Sequence, residues 1–288
     1  MSLASRKLLV GLIGAGIGRS LTPAMQEAEA AAQGLRLHYQ LIDLDRTRQG
    51  VEALPMLIEA AQAMGFDGLN ITYPCKQAVI PLLDDLSGEA RAIGAVNTVV
   101  FRDGRTVGHN TDGSGWRWGF ERTLPEADLS RVVLLGAGGA GSAIAHSVCR
   151  MKATELVVVD RDGARAAALA AELARQYSGV GLSASVDVAS ALQGASGLIH
   201  ATPTGMDKWP GLPLPAALLR AALWVAEIVY FPLETALLRA ARAAGCRSVD
   251  GGTMAVGQAL GAFELFTGRV ADAARIDAHF RRLVQDGA

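Results

Sequence analysis

Short runs of aliphatic and β-branched residues alternate along this chain with alanine-rich segments in which apolar positions recur every three to four residues. Runs of the first kind are strands buried on both faces; segments of the second kind are helices that cover them. Their alternation predicts an α/β fold on a largely parallel sheet. Strands are expected at 8–13, 38–43, 68–71, 96–101, 131–135, 155–159, 197–200, 223–227 and 247–250, and helices at 23–33, 51–64, 140–151, 164–176 and 233–244.

Two such series are visible, one ending near Asp112 and one beginning near Ser130. The segment between them, 113–129, is helical in character through its tryptophan-rich middle. From Thr253 onward the pattern is helical without strands, as expected of a tail that packs back on the first series. The expected division is therefore 1–112 with 253–288 against 113–252.

Composition narrows the partners. At 288 residues and 50% hydrophobic content the chain can bury the cores of two domains. Lys+Arg 27 against Asp+Glu 28 leaves a net charge of -1, which gives no general attraction to nucleic acid. Apolar stretches such as 132–135 and 218–226 stop far short of the roughly 20 residues that span a bilayer. The first ten residues lack a signal-peptide cleavage pattern, so the expectation is a cytoplasmic protein without membrane attachment. Cys75, Cys149 and Cys246 are odd in number and widely separated, fitting neither a disulfide framework nor a zinc ribbon. The five histidines show no metal-ligand spacing with cysteines or acids, and no metal site is expected.

The sharpest chemical signal is Gly136-x-Gly138-x-x-Gly141, which follows the strand 131–135 directly and opens a helix. In that context it is a dinucleotide fingerprint: glycine permits the tight turn and the approach of main-chain N–H groups to a pyrophosphate at the helix N-terminus. Gly136, Ala137, Gly138, Gly139 and Ala140 are the candidate cradle. The next strand ends in Asp160, where the adenosine ribose is expected. Its carboxylate can accept hydrogen bonds from both ribose hydroxyls of NAD, whereas the 2′-phosphate of NADP would set like charges together. NAD is therefore the expected cofactor and NADP the lesser alternative, with Arg161 and Arg165 as possible compensating charges or simply a solvated helix start. A second glycine cluster, Gly14-Ala-Gly16-Ile-Gly18, also follows a strand, but Arg19 replaces its last glycine and Ser20-Leu-Thr22-Pro23 comes next. Two hydroxyls at a proline-started helix suit a small carboxylate; the alternative is that one of them caps the helix.

Three further polar clusters stand at strand ends, where α/β sheets bind ligands: Asn70-Ile-Thr72-Tyr-Pro74-Cys-Lys76, Gly94-Ala-Val-Asn97-Thr, and Asn110-Thr-Asp112-Gly. Singly they are weak, since Lys76 reads as a surface lysine and Asp112 as a turn residue. Combined with a dinucleotide site they make a reaction. An alcohol carbon that loses hydride must also lose its hydroxyl proton, and a positioned base contributes roughly 10² to 10⁴-fold. Lys76 and Asp112 are the candidate coupled pair.

The order of these motifs, continued by Ala201-Thr202-Pro203-x-Gly205-Met206, Tyr230-x-Pro232-x-x-Thr235 and Gln258, resembles the shikimate dehydrogenase family over nearly the whole chain. The resemblance implies an N-terminal α/β substrate domain completed by the C-terminal helices, and a Rossmann-type, doubly wound NAD-binding domain. It implies that Lys76 and Asp112 act on the C3 hydroxyl of quinate or shikimate, and that Ser20 and Thr22 hold the carboxylate. Asn70, Thr72, Asn97 and Gln258 would bond the ring hydroxyls with Tyr230 nearby, and Thr202 and Pro203 would border the cofactor. Ser20-x-Thr22 and Asp160-Arg-Asp resemble NAD-dependent quinate/shikimate dehydrogenases more than biosynthetic NADP enzymes, which usually carry Ser-x-Ser and an Asn-Arg-Thr-like segment. His200 stands where the family often has asparagine. The expected partner is a small hydroxy-carboxylate, and the chain is expected to be a monomer or homodimer. An aminoshikimate-type paralogue, a biosynthetic NADP enzyme and a non-catalytic nucleotide-binding regulator are the alternatives.

Overall fold

The computed structural model describes residues 7–286. They divide into two compact units, one running to Thr111 and resuming at Gln258, the other Asp112–Gly257.

The first unit contains β1 (Lys7–Gly14), α1 (Thr22–Ala32), β2 (Arg36–Asp43), α2 (Leu54–Ala63), β3 (Gly68–Ile71), α3 (Cys75–Ala78), β4 (Asp85–Leu86), α4 (Gly88–Ile93), β5 (Thr98–Arg102) and β6 (Arg105–His109). Its sheet has the order β2-β1-β3-β5-β6-β4. The β1, β2 and β3 neighbours are parallel, as the pattern predicts, but β5 runs antiparallel to β3 and to β6. The β5–β6 hairpin turns at Asp103-Gly104, both with positive φ (53° and 74°), a two-residue connection whose twist matches that of the strands. Neither β6 nor the two-residue β4 was among the expected strands, because Arg105, Thr106, Asp85 and their neighbours lack an apolar run. The single helix expected at 51–64 is two elements, a 3₁₀ turn at Gly50–Ala53 and then α2. Pro55, which cannot donate a main-chain hydrogen bond, sits in the first turn of α2 and marks the break.

The second unit contains α5 (Asp112–Thr123), β7 (Arg131–Leu135), α6 (Gly139–Arg150), β8 (Glu155–Val159), α7 (Gly163–Gln176), β9 (Gly181–Ser185), α8 (Val188–Ala191), β10 (Gly197–His200), β11 (Trp224–Glu227), α9 (Ala236–Ala243) and β12 (Arg247–Val249). The helix α10 (Gly251–Thr267) carries the division between the units, and α11 (Ala273–Gln285) belongs to the first. The sheet is wholly parallel in the order β12-β11-β10-β7-β8-β9. Alternate residues of its strands feed two cores: Val132, Leu134, Leu156, Val158, Ile199 and Trp224 on one face, Val133, Val157, Val159, Leu198 and Val225 on the other. Helices cover both faces, which is why these strands read as unbroken apolar runs. β9 was missed because Gly181–Ser185 is an exposed edge strand without apolar runs. The helix expected from 233 begins only at Ala236, where Thr235 caps it by accepting the Leu238 N–H at 3.2 Å.

The C-terminal segment is fastened within the first unit by charge and amide contacts rather than by strands. Arg275 Nε donates to Glu29 Oε2 at 2.7 Å, and Asp272 N–H donates to Glu29 Oε1 at 2.9 Å. Burial raises the Glu29 pKa, but these donors outweigh it and hold the carboxyl below the usual range. Gln26 Nε2 donates to the Ala259 carbonyl at 2.8 Å, fixing α10 one residue beyond Gln258.

Candidate active site

In the second unit the parallel order reverses direction between β7 and β10, so the carboxyl ends of these two strands flank the crevice where such sheets bind ligands. The fingerprint turn lies there. Two of its glycines are demanded by the protein itself: Gly136 has φ +111°, and a Cβ on Gly141 would stand 2.0 Å from the Gly136 carbonyl oxygen. Gly138 and Gly139 differ. Both are exposed, and a Cβ on either would meet nothing within 4 Å. Their bare backbone lies at the N-cap and first position of α6, so the open space is at the positive end of a helix, as a pyrophosphate requires. The residues present thus fit a dinucleotide.

Asp160 follows β8 and braces this turn. Its Oδ2 accepts the Ala137 N–H at 2.8 Å and its Oδ1 accepts the Asp162 N–H at 3.0 Å. Partial burial raises its pKa, yet these two donors and the charges of Arg165 and Arg161 more than offset that, leaving it below the ordinary carboxylate value. Arg161 and Arg165 are exposed, and Arg165 lies 3.8 Å from Asp162. On the other side of the turn, Gly136 packs against β10's continuation, where its Cβ would be 2.6 Å from the Ala201 carbonyl oxygen and 3.0 Å from Thr202 Cγ2. Thr202 is therefore adjacent to the cradle, with exposed Pro203 beyond it. The glycines of the first cluster have other causes. A Cβ on Gly14 would be 2.2 Å from Thr72 Cγ2, and Gly16 has φ +67° with its N–H bonded to Asp43 Oδ1 at 3.0 Å.

The first unit gathers amides and hydroxyls where β3 and β5 meet. Asn70 ends this polar edge of β3: its Nδ2 donates to Thr98 Oγ1 at 3.0 Å, and its Oδ1 accepts from Tyr39 Oη at 2.7 Å. Buried Asn97 precedes β5; its Oδ1 accepts the Thr111 N–H at 2.8 Å and its Nδ2 donates to Thr111 Oγ1 at 2.9 Å. The Lys76 carbonyl accepts the Val96 N–H at 2.8 Å. A chain of bonds through Val96 and Asn97 thus connects the backbone of Lys76 to Thr111, the residue before Asp112. Asp112 is not in a turn: it opens α5 and is 1% exposed. Lys76 and Thr72 are half-buried. At the start of α1, Ser20 Oγ donates to Thr22 Oγ1 at 3.2 Å and accepts the Thr22 N–H, the first of the helix, at 3.3 Å, while the N-cap residue itself, Leu21, offers no side-chain cap. Gln258 lies half-buried on α10, and Tyr230 half-buried after β11. Among the described residues no group of three or more His, Cys, Asp or Glu is arranged to hold a metal ion.

Two family models match, that for the shikimate dehydrogenase substrate binding domain over residues 12–99 and that for shikimate / quinate 5-dehydrogenase over residues 120–203. The chain belongs to the shikimate dehydrogenase family. It is an oxidoreductase of the shikimate/quinate type, and its second unit is a Rossmann-like dinucleotide-binding domain. A shikimate dehydrogenase (NADP(+)) of Streptomyces avermitilis is 57% identical over 97% of this chain and 97% of its own. A quinate/shikimate dehydrogenase (NAD(+)) of Corynebacterium efficiens is 47% identical over 96% and 98%. Among solved structures, quinate dehydrogenase from Corynebacterium glutamicum in complex with NAD superposes with a TM-score of 0.90 at 44% identity, covering 96% of this chain and 100% of that one. No helix among the described residues of this dehydrogenase is long and apolar enough to cross a membrane.

In the dehydrogenase's second unit the motif reading marks His200 only as a departure from the family and misses its partner, Glu227. His200 ends β10 and Glu227 ends β11 at the paired register position, and both side chains are wholly buried. His200 Nδ1 is 2.8 Å from Glu227 Oε1, and its Nε2 is 2.5 Å from Thr202 Oγ1. Glu227 also accepts the N–H groups of Ile228 and Val229 at 2.9 and 3.0 Å and the Thr235 hydroxyl at 3.0 Å. The available signal was two polar residues closing neighbouring apolar strands; only pairing of the strands shows that they meet.

Proposed function

We propose that this enzyme oxidises the C3 hydroxyl of quinate and/or shikimate to the 3-dehydro ketone, reversibly, with NAD. The observation that carries the cofactor preference is Asp160: an anionic carboxylate beyond the end of β8, bonded to the fingerprint turn itself, where a 2′-phosphate would bring like charge. When bound, the dinucleotide accepts hydride from the alcohol carbon. The chain's own residues do the rest. Main-chain N–H groups at Gly138, Gly139 and Ala140 face the pyrophosphate at the start of α6. Lys76 and Asp112 together take the hydroxyl proton and return it in the reverse direction. Ser20 and Thr22, whose hydroxyls stand at the positive end of α1, hold the carboxylate. Asn70, Thr72, Asn97 and Gln258 bond the ring hydroxyls, with Tyr230 beside them. The orientation of Asn70 and Asn97 is fixed by their neighbours, so they offer the ring hydroxyls a set geometry that discriminates among hydroxylation patterns.

A second reading, NADP-dependent shikimate dehydrogenase, is favoured by the name of the Streptomyces relative and by the two exposed arginines flanking Asp162, which could neutralise a phosphate. The deciding experiment crosses quinate, shikimate and an amino analogue with NAD and NADP, following reduced nicotinamide by absorbance. Turnover of quinate or shikimate with NAD at higher kcat/KM than with NADP is the expected result. A wild-type preference for NADP overturns the cofactor assignment, and turnover of none of the three acids overturns the enzyme reading.

A further inference from the structure

Thr202 is the first polar side chain beyond β10, on the side of the fingerprint turn opposite to Asp160. In a doubly wound sheet the strand after the reversal serves the second half of a dinucleotide, so Thr202 faces the nicotinamide half if the cofactor reading above is right. What sets the direction of its hydroxyl is buried behind it.

The carboxylate of Glu227 collects the N–H of Ile228, the N–H of Val229 and the hydroxyl of Thr235, and a carboxylate surrounded by donors has only acceptor capacity to offer His200. His200 Nδ1 therefore carries a proton toward Glu227. The group within reach of Nε2, at 2.5 Å, is the Thr202 hydroxyl. One of its two lone pairs accepts the Thr204 N–H at 3.3 Å; the other is left as an acceptor at the strand end.

We propose that His200, held by Glu227, takes the Thr202 hydroxyl proton on Nε2 and so is a positioning residue that turns Thr202 into an obligate acceptor for the primary amide N–H of the nicotinamide ring. The carboxamide is the one N–H donor on that half of the cofactor, and accepting from it fixes which face of the ring is presented. Asparagine at position 200 could still donate toward Glu227 from the place of Nδ1, but it is one bond too short to take the Thr202 proton. The hydroxyl is then free to rotate.

The test compares dissociation constants, measured by calorimetry, for the dinucleotide and its 3-acetylpyridine analogue, which replaces the carboxamide with a group that has no N–H. Both are used in whichever adenosine form, NAD or NADP, the wild type binds better. The wild type should prefer the carboxamide about tenfold, the value of one buried hydrogen bond. Thr202→Val should bring the ratio close to one, Thr202→Ser should restore it, and His200→Asn should cut it severalfold with Thr202 intact. Equal wild-type affinity for the two ligands, or an unchanged ratio in either Thr202→Val or His200→Asn, overturns the proposal alone. A wild type that binds neither dinucleotide overturns the cofactor reading and the proposal with it. Thermal midpoints recorded beside each titration identify a variant that has lost its fold. Thr202→Val, which keeps the side-chain shape, still decides the matter if His200→Asn unfolds.

Discussion

Replacing Gly138 and Gly141 by alanine, one at a time, separates what the fold asks of the fingerprint from what a ligand asks. At Gly141 the new Cβ would sit 2.0 Å from the Gly136 carbonyl oxygen, a main-chain atom that cannot swing aside. Overpacking of this kind costs about 1–3 kcal/mol, and a backbone clash belongs at the upper end. For a unit of this size each kcal/mol moves Tm by roughly 2–4 °C, so Gly141→Ala should lose roughly 6–12 °C. At Gly138 the backbone already has φ -78° and ψ -173°, an extended conformation open to any residue, and the new methyl meets no protein atom within 4 Å. Removing glycine there restricts the unfolded chain and should stabilise by about 0.4–1 kcal/mol, or roughly 1–4 °C. Yet the methyl enters the space in front of the α6 N-terminus. If a pyrophosphate occupies that space, Gly138→Ala should weaken dinucleotide binding by at least about tenfold, or ~1.4 kcal/mol. Differential scanning fluorimetry gives the first quantity and fluorescence titration with reduced dinucleotide the second. Gly138→Ala binding the cofactor like the wild type would refute the reasoning, because the absence of a side chain would then have no explanation in ligand or fold.

Three other outcomes are expected. His146 is buried on α6, and burial first, then the charge of Arg150, lowers its pKa to about 4 from 6.5. The unfolded chain therefore binds the extra proton first, and stability falls as pH drops from about 6.5 toward 4, by roughly 2 kcal/mol at about pH 5; a urea midpoint in His146→Leu with the same pH slope as the wild type would remove this cause. Lys76→Ala should lower kcat by roughly 10² to 10⁴-fold while leaving dinucleotide affinity within about twofold, so unchanged turnover excludes lysine from the proton path. Burial raises the thiols of Cys75 and Cys149 to about 11 and about 12 and raises that of Cys246, so iodoacetamide at about pH 8 should label none of the three in the native protein; rapid native labelling of any of them would contradict its burial.

Much of this protein is legible in the order of its residues, for identifiable reasons. Strands β7, β8 and β10 were placed to the residue because their interiors are buried on both faces, which leaves an unbroken apolar run to mark them. The fingerprint was readable because its glycines serve local backbone geometry, which sequence spacing encodes directly. Asp160 was readable as the end of the next strand. What it does there was not: that its Oδ2 is engaged by the fingerprint turn, at the Ala137 N–H, depends on β7 and β8 lying side by side. The same limit hid β6, its antiparallel pairing with β5, and the edge strand β9; the strand character of β6 and β9 comes from hydrogen bonds to neighbours rather than from their own side chains.

His200 and Glu227 mark the boundary most plainly. In the sequence they are 27 residues apart and look like polar interruptions at the ends of two apolar runs. Parallel pairing of β10 with β11 puts them at the same register position, out of water, where each polar atom must find a partner. Local sequence determined the buried strands, the glycine turn and the candidate chemistry, because each rests on spacing of a few residues. Which buried groups answer one another was decided only by the tertiary structure, because strand order, not chain distance, sets what lies within hydrogen-bonding reach.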